Sequence, residues 1–171
     1  MKAAENLTEY LSDLNTRLPR RLALQEIVKL VREAHTRQGG ASIHPCFGDL
    51  KGQTLFAVSL YPERTVRING SDIPAELVAA FYRQNADLFQ DPRLILGTWY
   101  NADEEVTYLD VTVVFSRRQE AFALAATYNQ IALYDLVQET EISLGGTGEE
   151  PPDLPPENQR LPPMRRMQKE V

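Results

Sequence analysis

Asp110 is the side chain best placed to do chemistry. It sits inside Tyr108-Leu109-Asp110-Val111-Thr112-Val113-Val114, a run otherwise fit for burial in a strand. A buried carboxylate has to be paired, hydrogen-bonded or protonated, because an isolated buried charge is strongly unfavourable. Asp110 is therefore a candidate general base or ligand anchor, or else an outward-facing residue or one satisfied by Thr112 or by backbone donors. Trp99 and Tyr100, with Tyr108 across a hairpin, offer an aromatic platform of the kind that holds a ligand or a partner side chain. Aromatic cross-strand pairs also stabilise a sheet with no ligand present. A second polar set, Asn129, Gln130, Tyr134 and Asp135, follows a helix, where Asn and Asp are equally ordinary turn residues.

Other chemistries find less support. His44-Pro45-Cys46 brings a thiol and an imidazole onto one face of an extended segment, but no oxyanion loop or orienting carboxylate accompanies them. Gly145-Gly146-Thr147-Gly148-Glu149 has the glycine content of a phosphate loop without its Gly-Lys-Ser/Thr ending or the helix that must follow. One Cys excludes an internal disulfide framework and a Cys-based zinc cluster, and two His leave little for metal catalysis. No metal site and no cofactor are expected.

The elements that must position these residues follow from periodicity. Leu7, Tyr10, Leu11 and Leu14 recur at helical spacing over 3–15, with Asn6 or Thr8 as cap. Leu24, Ile27, Val28, Val31 and Ala34 define a second amphipathic helix over 20–37, closed by Gly39 and Gly40. The period then changes. Leu55–Tyr61 and Arg64–Ile68, separated by Pro62-Glu63, predict a first hairpin, and Asn69-Gly70 a turn. Ile73, Leu77, Phe81 and Leu88 predict a helix over 73–90, capped by Ser71 or Asp72. A second hairpin pairs 94–100 with 106–115 through the acidic turn Asn101-Ala102-Asp103-Glu104. Ser116 and Gln119 have capping-box spacing for a helix over 117–128, and short strands are expected at 131–134 and 140–144. A right-handed crossover is expected if the strands flanking that helix run parallel.

The expected fold class is α+β: a mainly antiparallel sheet of about five or six strands with two packing helices, preceded by an N-terminal helical pair. The expected division is 1–40 for the amphipathic helices, 41–144 for the α+β domain, and 145–171 for a tail. Six of the eleven prolines fall in that tail, and its few apolar residues predict a disordered extension.

The stretch from Leu60 to Gly148 resembles a family of small proteins found in bacterial genomes, prophages and phages. The resemblance rests on an ordered set: Gly97-Thr98-Trp99-Tyr100, Tyr108-Leu109-Asp110-Val111, Glu120-Ala121, Asn129-Gln130-Ile131-Ala132-Leu133-Tyr134-Asp135-Leu136 and Gly145-Gly146-Thr147-Gly148. It covers about half the chain and leaves out the first 40 residues. It implies a bacterial or phage origin and a cytoplasmic setting, and it supplies no activity. It also implies that Asp110, Asn129, Gln130 and Asp135 are polar members of a shared core, forming either a buried hydrogen-bond network or a recognition surface. The network is the favoured expectation.

Charge narrows the partners. The formal charge of −6 divides into +2 over 1–40, −7 over 41–144 and −1 over 145–171. An acidic central region repels a phosphate backbone, so nucleic acid is disfavoured as the main ligand. The exception would be Arg17, Arg20, Arg21, Lys29, Arg32 and Arg37, whose plainer role is a solvated helix face. No apolar run is long enough to cross a bilayer, and the first residues lack the order of a secretion signal. The expected function is non-enzymatic recognition of a protein partner by an accessory protein, an adaptor or modulator of a larger complex. Two alternatives stand beside it: a small-molecule binder or enzyme using Asp110, and a homo-oligomeric structural component such as a virion or shell protein.

Overall fold

The computed structural model describes residues 1–164. In chain order the elements are α1 (Leu7–Ser12), α2 (Leu24–Gln38), β1 (Gly40–His44), β2 (Gly48–Asp49), β3 (Phe56–Ser59), β4 (Val66–Asn69), α3 (Ala75–Gln84), β5 (Leu94–Asn101), β6 (Val106–Phe115), α4 (Arg118–Thr127), β7 (Ala132–Asp135) and β8 (Thr140–Ser143). Three 3-10 turns punctuate them, at Pro62–Arg64, Leu88–Gln90 and Glu157–Gln159. The fold is α+β, and every ladder is antiparallel. The sheet has eight strands rather than five or six, in the order β2-β1-β5-β6-β3-β7-β8, with β4 also on β6.

The β5–β6 hairpin is the spine, paired from Leu94↔Val113 to Asn101↔Val106. The other expected hairpin does not form. β3 and β4 do not pair with each other; both lie end to end along the same edge of β6, at Phe56↔Phe115 to Ser59↔Thr112 and at Val66↔Leu109 to Asn69↔Val106. Residues 60–65 bridge them and face only Asp110 and Val111. Pro62, which has no N–H to give a ladder, opens the 3-10 turn that breaks the strand. β6 and β7 run parallel on either side of β3, joined through α4.

Alternation along the strands builds two cores. Leu94 and Leu96 of β5, with Leu109, Val111, Val113 and Phe115 of β6, face the layer of α2, α3 and α4. Ile95, Val114 and Ala57 point the other way and meet Leu7 of α1 together with Leu50, Leu55 and Leu136. The N-terminal pair thus straddles the sheet, one helix on each side. The expected boundary at residue 40 separates no core of its own, because Leu7, Ile27 and Val31 are fully buried in the two clusters.

Local capping explains where the helices stop. Asn6 caps α1 by accepting from the Glu9 N–H at 2.8 Å, and Gly39 closes α2 in the left-handed region at φ +76°. The expected helix over 73–90 ends at Gln84, where the Asn85 side chain donates to the Phe81 carbonyl. Neither Asp72 nor Ser116 serves as cap; the N-cap residues are Pro74 and Arg117.

Within the stretch expected to be a disordered tail, 145–171, part of the described chain packs on the body. Arg160 is buried, and Leu154 and Leu161 pack against the helix-side core. Residues 165–171 lie outside the described residues.

Candidate functional site

Among the described residues, α1 and the segments carrying Leu50, Leu55 and Leu136 cover one end of the sheet face that points away from α2, α3 and α4. Beyond Ile95 and Val114 it carries Thr112 and Ser59, then Asp110 opposite Gly97, then Tyr108 opposite Trp99, with Arg67 of β4 beside Tyr108. These residues share a face because cross-strand partners in an antiparallel ladder project to the same side.

Trp99 stacks on Tyr108 with ring centroids 5.4 Å apart and planes 22° apart. Trp99 is 44% exposed, while the strand residues on either side of it are more deeply set. The Arg67 guanidinium lies 5.2 Å from the Tyr108 centroid. Glu104 ties the group together at the hairpin turn: its Oε2 accepts from the Tyr108 hydroxyl at 2.7 Å and from Arg67 Nη2 at 3.1 Å. That bond from the phenol to the carboxylate favours the protonated phenol and raises the Tyr108 pKa.

Asp110 occupies the place where the β3–β4 edge is interrupted. Its carboxylate accepts one hydrogen bond among the described residues, from Thr65 Oγ1 at 2.5 Å. Burial pushes its pKa up, and the Thr65 hydroxyl partly counters this by favouring the anion. Gly97 leaves the opposing position without a side chain; a Cβ there would stand 2.5 Å from Thr112 Oγ1.

The remaining expected site residues are elsewhere. Tyr100 pairs with Thr107 and so projects to the helix side, which removes it from the platform. The expected network of Asp110, Asn129, Gln130 and Asp135 does not form: each of the four side chains has hydrogen-bond partners outside the set. Asn129, at φ +53°, donates to Thr147 Oγ1 at 2.5 Å and accepts from the Thr147 N–H at 3.1 Å. Gln130 donates to the Tyr128 carbonyl. Asp135 Oδ1 accepts from the Val137 and Gln138 N–H groups and so makes the turn between β7 and β8. Tyr134 packs partly buried against the α1-side core.

Thr65, Arg67 and Glu104 join the site without having been singled out from the sequence. Arg67 had a legible signal, since it is the polar member of an alternating strand. The Thr65–Asp110 contact had none, because it depends on how β4 docks.

The other reactive groups are structural. His44 Nε2 donates to the Pro92 carbonyl at 2.9 Å, and Nδ1 accepts from the Cys46 and Phe47 N–H groups. Burial lowers its pKa to about 4 and raises that of the Cys46 thiol, the opposite of what a thiolate–imidazolium pair requires. His35 Nε2 donates to the Ser71 carbonyl, so its neutral Nδ1 accepts from Thr98 Oγ1. Two shallow grooves, of about 310 and 170 Å³, lie near α1 and share Leu14 and Met164; neither includes Asp110. Among the described residues no group of three or more His, Cys, Asp or Glu is placed to hold a metal ion, and no helix is long and apolar enough to cross a membrane.

Compared with known protein families, with curated proteins and with solved structures, the chain finds no match in any of the three.

Proposed function

We propose that this chain is a non-enzymatic protein-recognition protein, an adaptor or modulator within a larger complex, which engages its partner through the Trp99–Tyr108–Arg67 face. The single observation that carries this reading is the exposure of Trp99 on a stacked aromatic pair, on a sheet face that α1 covers at its far end. Trp, Tyr and Arg are the residue types that most often dominate binding energy at protein interfaces. The turn beside them carries Asp103, Glu104 and Glu105, and 41–144 is strongly acidic, so the fitting partner presents basic side chains over the two rings. A cytoplasmic, bacterial or phage setting belongs to the same proposal and rests on the resemblance of the 60–148 stretch.

Asp110 supports the alternative of small-molecule chemistry less well, because neither of the two grooves near α1 includes it. A second copy of the chain as the partner, the structural-oligomer alternative, is separated by light scattering over a range of concentrations.

Trp99 is the chain's one tryptophan and so reports on its own burial. Affinity capture at low salt with the intact chain is expected to recover one stoichiometric partner and to blue-shift Trp99 emission when that partner is added back. Trp99→Ala, which retains the fold, is expected to lose the partner. Equal recovery by both chains, or no stoichiometric partner for either, overturns the reading.

A further inference from the structure

Residues 150–163 lie on the helix side of the sheet, over the break between β3 and β4. The segment reads Pro151-Pro152-Asp153-Leu154-Pro155-Pro156-Glu157-Asn158-Gln159-Arg160-Leu161. Pro156 has φ −53° and ψ 146°, in the polyproline II region, and proline restricts φ in advance, so little entropy is lost on docking.

What the segment rests on has the parts of a receptor. Leu154 and Leu161 pack against the cluster that contains Tyr61 and Tyr128. The Arg160 guanidinium sits 5.2 Å from the Tyr61 ring centroid, pairs with Glu63 and donates to the Leu60 carbonyl at 2.9 Å. Arg64 reads the opposite charge, donating to both carboxylate oxygens of Glu157 at 2.9 and 2.6 Å. Arg93 donates to the Pro162 carbonyl at 2.6 Å. Adjacent residues of the body, Glu63 and Arg64, thus select Arg160 and Glu157 in a crossed pair. Aromatic rings with flanking charges are how proteins recognise extended proline-rich segments.

We propose that this surface is a recognition site for an extended proline-rich segment bearing Glu and Arg three residues apart, and that the chain's own residues 150–163 occupy it in the resting state. The occupant in trans is a segment of the same pattern on another protein. The internal segment acts as a competitor: it is tethered at Asn129, which holds Thr147 and accepts from the Gly148 N–H, and a short tether gives an effective concentration of about a millimolar. This surface lies on the opposite side of the sheet from Trp99, so the two readings are tested independently.

The test uses the whole chain and a fluorescein-labelled synthetic peptide with the sequence of residues 150–164, followed by fluorescence anisotropy. Arg160→Ala in the chain weakens the internal competitor and is expected to tighten peptide binding on the order of 100-fold relative to the unaltered chain. The peptide carrying its own Arg160→Ala is expected not to bind. Equal affinity for the two chains, or no loss when the peptide lacks its arginine, overturns the proposal. If the altered chain does not fold, hydrogen exchange of the Gln159–Leu161 amides in the unaltered chain decides. Unlabelled peptide at about 5 mM is expected to speed that exchange at least about twofold, and unchanged exchange overturns the proposal.

Discussion

Arg160 Nη1 donates to the main-chain carbonyl of Leu60 at 2.9 Å, across 100 residues of chain. The Leu60 carbonyl ends β3's run along β6 and has left the ladder, so a side chain takes the place of a strand. The same guanidinium pairs with Glu63 and accounts for the Pro155 carbonyl through Nε. Arg160→Ala leaves a buried carbonyl without its donor and a carboxylate without its cation. It is expected to lower unfolding free energy by about 3 kcal/mol in urea titrations. Arg160→Lys is expected to recover less than half of that loss, since one ammonium cannot reproduce a planar fork that serves three partners.

Gly97 sets a second expectation. It lies between Leu96 and Thr98 at the centre of β5, where a residue without a side chain normally weakens a strand. Its reason is space: an added Cβ would lie 2.5 Å from Thr112 Oγ1 and 3.4 Å from Thr112 Cβ. Gly97→Ala is expected to cost about 2 kcal/mol through overpacking. Thr112→Ala removes the closer atom and leaves an ordinary contact. The double variant is therefore expected to be more stable than Gly97→Ala alone, a coupling that thermal melts of the four chains measure directly.

How much of this was legible in advance depended on how local the cause was. The β5–β6 hairpin could be read because Leu109, Val111, Val113 and Phe115 alternate and an acidic turn precedes them. The α2 helix could be read because its apolar positions recur every three or four residues and Gly39 takes the left-handed cap. The placement of β3 and β4 could not, because two strands separated by a Pro-containing turn pair with each other or with a third strand on identical local evidence. Tyr100 was misassigned for a different reason. Period-two alternation puts Tyr100 and its neighbour Trp99 on opposite faces, so a platform of adjacent aromatic residues cannot form within one strand. The docking of 150–163 left no periodic signal, since proline-rich chain packs through a few anchors. Glu63 and Arg160 meet across 97 residues. Of the site itself, Trp99, Tyr108 and Asp110 were found by residue type, whereas Thr65, Arg67 and Gly97 became meaningful only with the register.

The two histidines make the fold acid-sensitive well above the carboxylate range. Burial lowers the pKa of both, that of His44 to about 4, against an unfolded value of 6.5. At these two imidazoles the unfolded chain therefore binds more protons than the folded chain below about pH 6.5. The histidine contribution to stability is full above that value and is lost as pH falls towards about 4, where the His44 part levels off. From His44 alone the loss at pH 5 is expected to be about 2 kcal/mol. Urea titrations at pH 7 and pH 5 should show it. His44→Gln, which keeps an amide donor for the Pro92 carbonyl, should be less stable at pH 7 and less dependent on pH.

Asp110 should behave in the opposite sense. Its pKa is raised in the folded chain, chiefly by burial, so the ionised form is held at a cost at neutral pH. At this one carboxyl the folded chain binds more protons than the unfolded chain just above the usual carboxylate range, and the Asp110 contribution improves as pH falls through its raised pKa. Asp110→Asn keeps an oxygen that can accept from Thr65 and removes the charge. It is expected to raise the melting temperature at pH 7 and to give a smaller gain at pH 4, where the native carboxyl is nearer to neutral. A carboxylate retained only for packing would tolerate this change with partner capture intact. One that meets a basic side chain of the partner would yield a more stable chain that binds more weakly, with the loss largest at low salt. The proposed recognition face is Trp99, Tyr108 and Arg67, and the Asp110 carboxyl is buried against Thr65, so the first result is expected, and melts paired with binding measurements on the same preparation separate the two.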